Sequence, residues 1–209
     1  MTGQFAFPSD REESSAAKVR ALETLLIEKG VITAQTVDKV LAYVESEMTP
    51  LNGKKIVVKA WQDPEFAARL LADTPSAIAE LDLPDGMAGA EGEHLRAVAN
   101  TPGVHNLVIC TLCSCFPWPV LGLPPYWYKD PVFRARAARE PRKVLAEIGV
   151  ELANDVEIKV LDSSGHSRWF VLPERPSGTE EFTDDMLMDL VTTESMMGVA
   201  LAGLPHETA

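Results

Sequence analysis

The first fifty residues repeat apolar side chains at helical spacing. Between Asp10 and Lys29 apolar positions recur once per helical turn, and Gly30 is a natural stop. A second set follows Thr33, which can cap a helix. The apolar residues of the two sets are Val19, Leu22, Leu25, Leu26, Val37, Val40, Leu41 and Val44. The pattern predicts a helical arm over residues 1–50, which either folds against the rest of the chain or reaches out to another chain.

The remainder, residues 51–209, mixes helix and strand patterns. Asp63 followed by Pro64 predicts a helix that runs through Leu71 and ends near Pro75, whereas Lys54 to Lys59 is ambiguous between strand and helix. Further helices are expected from Asp130 to about Arg139, from Pro141 to Gly149 and from Thr183 onward.

Strand patterns occur in two pairs, the first joined by turn residues at Asn100 to Gly103 and the second by turn residues at Ser163 to Gly165. The first pair is His94 to Ala99 and Val104 to Ile109, and the second is Val156 to Val160 and Arg168 to Leu172. Because each pair is joined by a short turn, the sequence predicts hairpins. The expected fold is therefore α+β, with an N-terminal helical arm and mostly antiparallel strands.

Charge and hydropathy limit the binding partners and the cellular compartment expected for the protein. The chain has 19 basic and 31 acidic residues, a formal net charge of -12, which argues against nucleic acid or an anionic membrane as a partner. No apolar run approaches the length of a membrane span, and the N-terminus lacks the pattern of a signal peptide. We expect a cytoplasmic protein.

All three cysteines lie in one short stretch, Cys110-Thr111-Leu112-Cys113-Ser114-Cys115, which we name the cysteine loop. Two thiolates separated by one residue can bring the peptide nitrogens of Ser114 and Cys115 against the same metal ion. Amide nitrogens bind only when deprotonated, which favours a strongly Lewis-acidic, trivalent metal. Two alternatives are a redox dithiol and three buried structural thiols. The prolines after Cys115 speak against the redox alternative, since thioredoxin-like motifs open a helix.

The cysteine loop and its surroundings resemble the alpha subunit of nitrile hydratase, cobalt type. The resemblance spans nearly the whole chain and rests on these segments: VICTLCSCFPWPVLGLPPYWYK from Val108 to Lys129, RARAAREPRKVLAEIG from Arg134 to Gly149, Glu91-Gly92-Glu93, Asn100-Thr101-Pro102, the Val156 to Val160 strand, and LPERP from Leu172 with Gly178-Thr179. The family arrangement is a layered α-β-β-α core, which would form from residues 51–209 as the catalytic domain, with the arm gripping a beta subunit.

The resemblance implies a role for each residue of the loop. Cys110 would be the axial ligand of a low-spin, non-corrin cobalt(III), and Cys113, Cys115 and the amide nitrogens of Ser114 and Cys115 would form the equatorial plane. Cys113 would be oxidised to sulfinate and Cys115 to sulfenate. Thr111 indicates cobalt, iron(III) being the alternative that serine at that position would indicate. The implied reaction is hydration of nitriles to amides, with Cys113, Ser114 and above all Cys115 at its centre.

The resemblance also extends to residues around the loop. Trp118 would line the substrate pocket, Glu91 would lie near the metal and Arg168 would brace the site. Taken without the loop, these three residues would be read as a core tryptophan, a solvated acid and a cation on a strand surface. Phe116 departs from the family, since cobalt-type members commonly have tyrosine there. A hydroxyl near the metal is therefore missing.

The implied partners are a beta subunit, in a heterodimer or heterotetramer, an activator protein that loads cobalt, and small nitriles. The beta subunit would supply two arginines to the anionic oxygens of Cys113 and Cys115, for which the residues flanking the loop in sequence provide no cation. Two other functions stay open. One is the metal-binding subunit of thiocyanate hydrolase, against which Trp118 speaks, and the other is a cobalt carrier without catalytic activity.

Overall fold

The computed structural model describes residues 9–81, 83, 94–111 and 115–203. Its helices are α1 Ser9–Glu28, α2 Ala34–Glu47, α3 Pro50–Gln62, α4 Pro64–Ala72, α5 Thr74–Ile78, α6 Trp118–Leu121, α7 Pro131–Arg139, α8 Pro141–Glu147 and α9 Asp184–Asp189. Its strands are β1 Leu95–Ala99, β2 Val104–Ile109, β3 Glu157–Asp162 and β4 Arg168–Leu172. Two 3₁₀ turns lie at Tyr126–Lys129 and Ser195–Met197. Among these residues, no helix has the length and apolar character needed to cross a bilayer.

Helices α1 and α2 form as the periodicity predicts. The Thr33 side chain accepts a hydrogen bond from the backbone nitrogen of Thr36 at 3.1 Å and so caps α2. No residue of α2 is buried, and apolar side chains of both helices are exposed. The large apolar residues exposed on the described parts of α1 and α2 are Val19, Leu22, Leu25, Val40, Leu41 and Tyr43.

The ambiguous segment from Lys54 to Lys59 is helical, as part of α3. Thr49 caps this helix and Pro50 occupies its first turn, so the helix has already begun when the chain reaches its β-branched residues. Ile56, Val57 and Val58 are then buried in the core. The start signal outweighs the β propensity of the run.

The predicted antiparallel strands are wrong, because both strand pairs are parallel. Strand β1 pairs with β4 from Leu95↔Arg168 onward, and β2 pairs with β3, from Val104↔Glu157 to Ile109↔Asp162. The predicted turns exist, since antiparallel bridges join Thr101 to Val104 and Ser164 to Ser167. Each turn, however, sends the chain from one two-stranded sheet into the other instead of closing a hairpin. The fold is α+β with short parallel strands.

Helices cover both strand pairs and enclose the core. Helices α4 and α5 contact β1, whereas α7 contacts β2 and α8 contacts β3. Strands β2 and β4 contact each other between the pairs. The core therefore includes Phe66 and Leu70 from α4, Leu107 from β2, Phe133 from α7 and Phe170 from β4, all fully buried or nearly so.

A buried polar cluster fixes the corner between β1 and β2. The Asn100 side-chain oxygen accepts a hydrogen bond from the backbone nitrogen of Asn106 at 2.8 Å. The Nε2 atom of His105 lies 2.7 Å from the carbonyl oxygen of Gly198, so Nε2 carries the proton and donates. Gly198 has φ +77°, and a methyl group there would overlap the carbonyl oxygen of Asn106. Burial lowers the pKa of His105.

Candidate metal centre

The cysteine loop leaves the carboxyl end of β2, at the edge where β3 also ends and β4 begins. Ile109 is the last residue of β2 and lies opposite Asp162, the last residue of β3. Cys110 follows directly and is fully buried. The backbone nitrogen of Arg168, the first residue of β4, donates to the carbonyl oxygen of His94 at 2.8 Å at the same edge. The strand topology therefore brings Cys110, Asp162 and Arg168 to one end of the sheets.

Asp162 holds the first half of the loop through Thr111. The backbone nitrogen of Thr111 donates to Asp162 Oδ1 at 2.9 Å, and the Thr111 hydroxyl contacts Oδ2 of the same carboxylate. One carboxylate thus fixes both the backbone and the side chain of Thr111. The contact exists because the register of β2 and β3 places Asp162 beside the residue that precedes Cys110.

Tyr128 holds the other end of the loop. Its side chain is fully buried, and its hydroxyl donates to the carbonyl oxygen of Cys115 at 2.7 Å. Phe116 is buried and packs edge-on against the Tyr128 ring, with centroids 5.0 Å apart. Cys115 itself is half-buried. The phenol therefore fixes the backbone at the point where the loop re-enters the core.

The surroundings of the Tyr128 hydroxyl show which groups lie near it. Burial raises the pKa of Tyr128, and the charges of Cys110, Cys115 and Asp162 act in the same direction, whereas a hydrogen bond with the Ser163 side chain lowers it. Both described cysteines thus lie within electrostatic range of one phenol. The raised pKa keeps the hydroxyl protonated, and hence a donor, at neutral pH.

The segment after the loop is anchored to α3. The side-chain nitrogen of Asn52, which is almost fully buried, donates to the carbonyl oxygens of Glu47 and Pro119, at 2.9 Å each. A Cβ atom on Gly53 would lie 2.6 Å from the carbonyl oxygen of Val120, so only glycine permits this approach of α3 to α6. Trp118, the first residue of α6, is 37% exposed. The tryptophan is thus held at the surface beside the loop rather than buried in the core.

The structure brings together part of the predicted site. Cys110, Thr111 and Cys115 lie round Asp162 and Tyr128, Trp118 follows in α6, and Arg168 is half-buried at the same edge of the sheets. The predicted residues Glu91, Cys113 and Ser114 lie outside the described residues. Within the described ranges, which leave out Cys113, no three His, Cys, Asp or Glu side chains cluster closely enough to hold a metal ion.

Sequence reasoning missed four residues that hold the loop, namely Tyr128, Arg134, Asp162 and Ser163. The Nη1 atom of Arg134, on α7, donates to the carbonyl oxygen of Cys110 at 3.1 Å, so a cation from outside the flanking sequence reaches the loop. Asp162 could have been found from its place at the end of an alternating strand. No sequence pattern distinguishes Tyr128 from an ordinary core residue or Arg134 from an ordinary surface residue.

The donor set fits a thiolate-bound transition metal. The loop contains three sulfur atoms, and its described ends are held by hydrogen bonds with Asp162, Tyr128 and Arg134. Thiolates suit transition metals, and buried ligands held by neighbouring hydrogen bonds are typical of such centres.

Comparison with known proteins agrees with this chemistry. A family model described as "Nitrile hydratase, alpha chain" matches residues 13–200. The low-molecular weight cobalt-containing nitrile hydratase subunit alpha of Rhodococcus rhodochrous is 50% identical over 204 residues, covering 98% of this chain and 96% of that protein. The thiocyanate hydrolase subunit gamma of Thiobacillus thioparus is 38% identical over 188 residues, covering 87% of this chain and 77% of that protein.

A solved structure extends the likeness to the whole fold. A double mutant of the Fe-type nitrile hydratase from Comamonas testosteroni Ni1 is 35% identical to this chain, with a TM-score of 0.81 over 98% of both chains. The chain belongs to the nitrile hydratase alpha chain family. The resemblance inferred from the sequence is thereby confirmed.

Proposed function

We propose that this chain is the metal-binding alpha subunit of a nitrile hydratase and takes part in the hydration of nitriles to amides. The observation that carries the proposal is the cysteine loop itself, with Cys110 buried and the residues at its two described ends held by Asp162 and Tyr128. The family match over residues 13–200 supports it. A relative that is 50% identical over nearly its full length is a nitrile hydratase subunit by name, whereas the thiocyanate hydrolase relative is 38% identical.

Cobalt(III) is the metal that we propose for the loop. Cys110, Cys113, Cys115 and the amide nitrogens of Ser114 and Cys115 would hold it. Thr111 favours cobalt over iron, and the relative from Rhodococcus rhodochrous is cobalt-containing by name. When bound, a trivalent metal supplies the Lewis acidity that activates a nitrile toward addition of oxygen.

The residues of this chain then have distinct tasks. Cys115, as sulfenate, would act as nucleophile on the nitrile carbon or as base toward an attacking water, and Cys113 would be the sulfinate. Trp118, which the structure leaves partly exposed beside the loop, would line the substrate pocket. Glu91 would lie near the metal, and Arg168 would brace the site from the first position of β4.

The helical arm is where we propose that the beta subunit binds. The described parts of helices α1 and α2 carry six large exposed apolar side chains, and α2 buries none of its residues in this chain. Exposed apolar faces of this kind mark contact surfaces for another protein. The beta subunit would also bring arginines to the oxidised cysteines, and an activator protein would load the cobalt.

Native mass spectrometry of the chain, co-expressed with its beta subunit in cobalt-supplemented medium, tests the proposal. We expect one cobalt per alpha subunit and three added oxygens, two on Cys113 and one on Cys115. The same complex should hydrate a small nitrile. Zinc, unmodified thiols or a disulfide in place of cobalt would contradict the proposed centre. Hydrolysis of thiocyanate but not of nitriles would identify the related enzyme, and cobalt without any turnover would identify a carrier.

Two substitutions test the roles given to single cysteines. Cys110→Ala should abolish cobalt binding, because it removes a thiolate that would hold the metal. Cys115→Ala should abolish nitrile hydration, because it removes both a proposed ligand and the oxygen that would act on the nitrile or on water. Normal hydration by the Cys115→Ala complex would refute the role given to Cys115, and normal cobalt content in the Cys110→Ala complex would refute Cys110 as a ligand.

A further inference from the structure

Both described ends of the cysteine loop lie beside two residues at the end of β3. Thr111, near the start of the loop, is held by the carboxylate of Asp162. Cys115, at its end, is held by the hydroxyl of Tyr128, and the side chain of Ser163 lies near this hydroxyl. Asp162 and Ser163 are neighbours in sequence and form one short platform beside both ends of the loop.

The platform is itself fixed within the sheets. The backbone nitrogen of Ser163 donates to the carbonyl oxygen of Ile109 at 2.7 Å, and Ser163 is 2% exposed. The backbone nitrogen of Trp169, on β4, donates to the Ser163 hydroxyl oxygen at 3.3 Å. Ser163 is therefore fixed by hydrogen bonds to β2 and β4, and the hydroxyl of Tyr128 near it reaches the carbonyl oxygen of Cys115.

We infer that Tyr128 is a positioning residue, whose hydroxyl fixes the carbonyl oxygen of Cys115 and thereby sets the orientation of that cysteine before any metal binds. The inference rests on the proposed function only for the purpose of the positioned Cys115, which is metal binding and catalysis. The carbonyl of Cys115 and its amide nitrogen flank the same Cα atom, so fixing one limits the directions open to the other and to the thiol.

The ring and the hydroxyl of Tyr128 have separable tasks. The ring fills the core and contacts Phe116 and Trp127 edge-on, at centroid distances of 5.0 and 6.1 Å. These contacts do not involve the hydroxyl, so Tyr128→Phe keeps the packing of the ring and removes only the hydroxyl that donates to Cys115. The ordinary structural role of a buried aromatic residue would therefore survive the substitution, and the positioning role would not.

Amide hydrogen exchange on the full-length chain without metal tests the inference directly. In the Tyr128→Phe variant, the peptide covering residues 110–118 should exchange faster than in the wild type, by roughly two- to tenfold, the factor that one ordinary hydrogen bond supplies. Peptides covering β1 and α4 should exchange as before. The matched control is Tyr43→Phe, which removes the hydroxyl of an exposed tyrosine on α2 and should leave residues 110–118 unchanged.

Ser163→Ala gives a second variant, because it removes the polar group that lies near the phenol hydroxyl. It should raise exchange at residues 110–118 in the same direction as Tyr128→Phe, and by less. In the cobalt-loaded complex, Tyr128→Phe should also release cobalt to a chelator faster than the wild-type complex does. Unchanged exchange at residues 110–118 in Tyr128→Phe would overturn the inference.

The positioning role of Tyr128 and the proposed function can be refuted independently of each other. If the wild-type complex binds no cobalt and hydrates no nitrile, the function is wrong, while exchange in the metal-free chain still decides whether Tyr128 orders the loop. If the wild-type complex is active and exchange is unchanged in Tyr128→Phe, the positioning role alone is wrong.

Discussion

Asn52 is the residue at which the anchoring of the segment after the cysteine loop can be tested most directly. Its side-chain nitrogen bridges two carbonyl oxygens, that of Glu47 at the end of α2 and that of Pro119 in α6. Asn52→Ala removes both hydrogen bonds. It also leaves the Pro119 carbonyl without this donor, in a place where the hydrogen bond is buried.

The expected cost follows from these contacts. Each of the two bonds is 2.9 Å long and contributes about 1 kcal/mol to stability. The buried carbonyl that loses its donor adds roughly 1 to 2 kcal/mol of desolvation cost. The free energy of unfolding should therefore fall by about 3 to 4 kcal/mol. In a chain of this size that corresponds to a drop in Tm of roughly 6 to 16 °C.

Thermal unfolding of the full-length chain, followed by circular dichroism, measures the effect. Asn52→Leu restores the side-chain volume without a donor, so it should lose nearly as much stability as Asn52→Ala. Asn52→Asp should lose more, because a carboxylate would face two carbonyl oxygens. The control is Asn154→Ala at an exposed position, with an expected change within about 0.5 kcal/mol. If Asn52→Ala melts at the temperature of the Asn154→Ala control, the bridge does not stabilise the fold and the reasoning is refuted.

Two further predictions concern the corner between β1 and β2. Gly198→Ala should lower the free energy of unfolding by about 3 kcal/mol or more, because its methyl group would overlap the Asn106 carbonyl at a positive φ. Gly103→Ala, whose methyl group would meet nothing within 4 Å, should melt close to the wild type; equal melting of the two variants contradicts the clash. Burial lowers the pKa of His105 in the folded state, so below about pH 6.5 the unfolded chain takes up more protons than the folded one. Stability should therefore fall as the pH drops below that value, and His105→Gln should flatten the pH dependence in urea unfolding; an unchanged pH dependence would exclude His105 as its source.

Local signals in the sequence predicted the helices well. Thr33 and Asp63 cap the helices at which the sequence places them, since a cap depends only on residues within one helical turn. The segment from Lys54 to Lys59 was ambiguous because its β-branched residues and the start signal at Thr49 and Pro50 point in different directions. In α3 the start signal prevails.

Strand direction was not available from local signals. The turns at Asn100 to Gly103 and at Ser163 to Gly165 were identified correctly, but a tight turn does not oblige the flanking strands to pair with each other. Pairing here is decided by contacts between segments far apart in the chain, such as Leu95 with Arg168. The alternation of apolar residues along a strand is the same in parallel and antiparallel sheets. The sequence pattern therefore could not distinguish the predicted hairpins from the parallel pairs that form.

The residues of the candidate site also fall into a group that local sequence predicts and a group that depends on distant contacts. The cysteines, Thr111 and Trp118 belong to one continuous segment, and their proximity follows from the sequence alone. Asp162, Tyr128 and Arg134 reach that segment from β3, a 3₁₀ turn and α7. Their part in holding the loop depends on the register of β2 and β3 and on the packing of α7, neither of which periodicity encodes.

The distance in sequence between the loop and its platform also sets an order of events during synthesis. Asp162 and Ser163 follow the cysteines by roughly fifty residues, which a ribosome adds in about 3 to 10 s at ordinary rates of translation. During that interval the three thiols have emerged, or are emerging, without the strand that will hold them. Under the proposed function, a metal that met the nascent chain would find Thr111 without the carboxylate that holds it, so loading at the native geometry would wait until β3 has been made and has paired with β2.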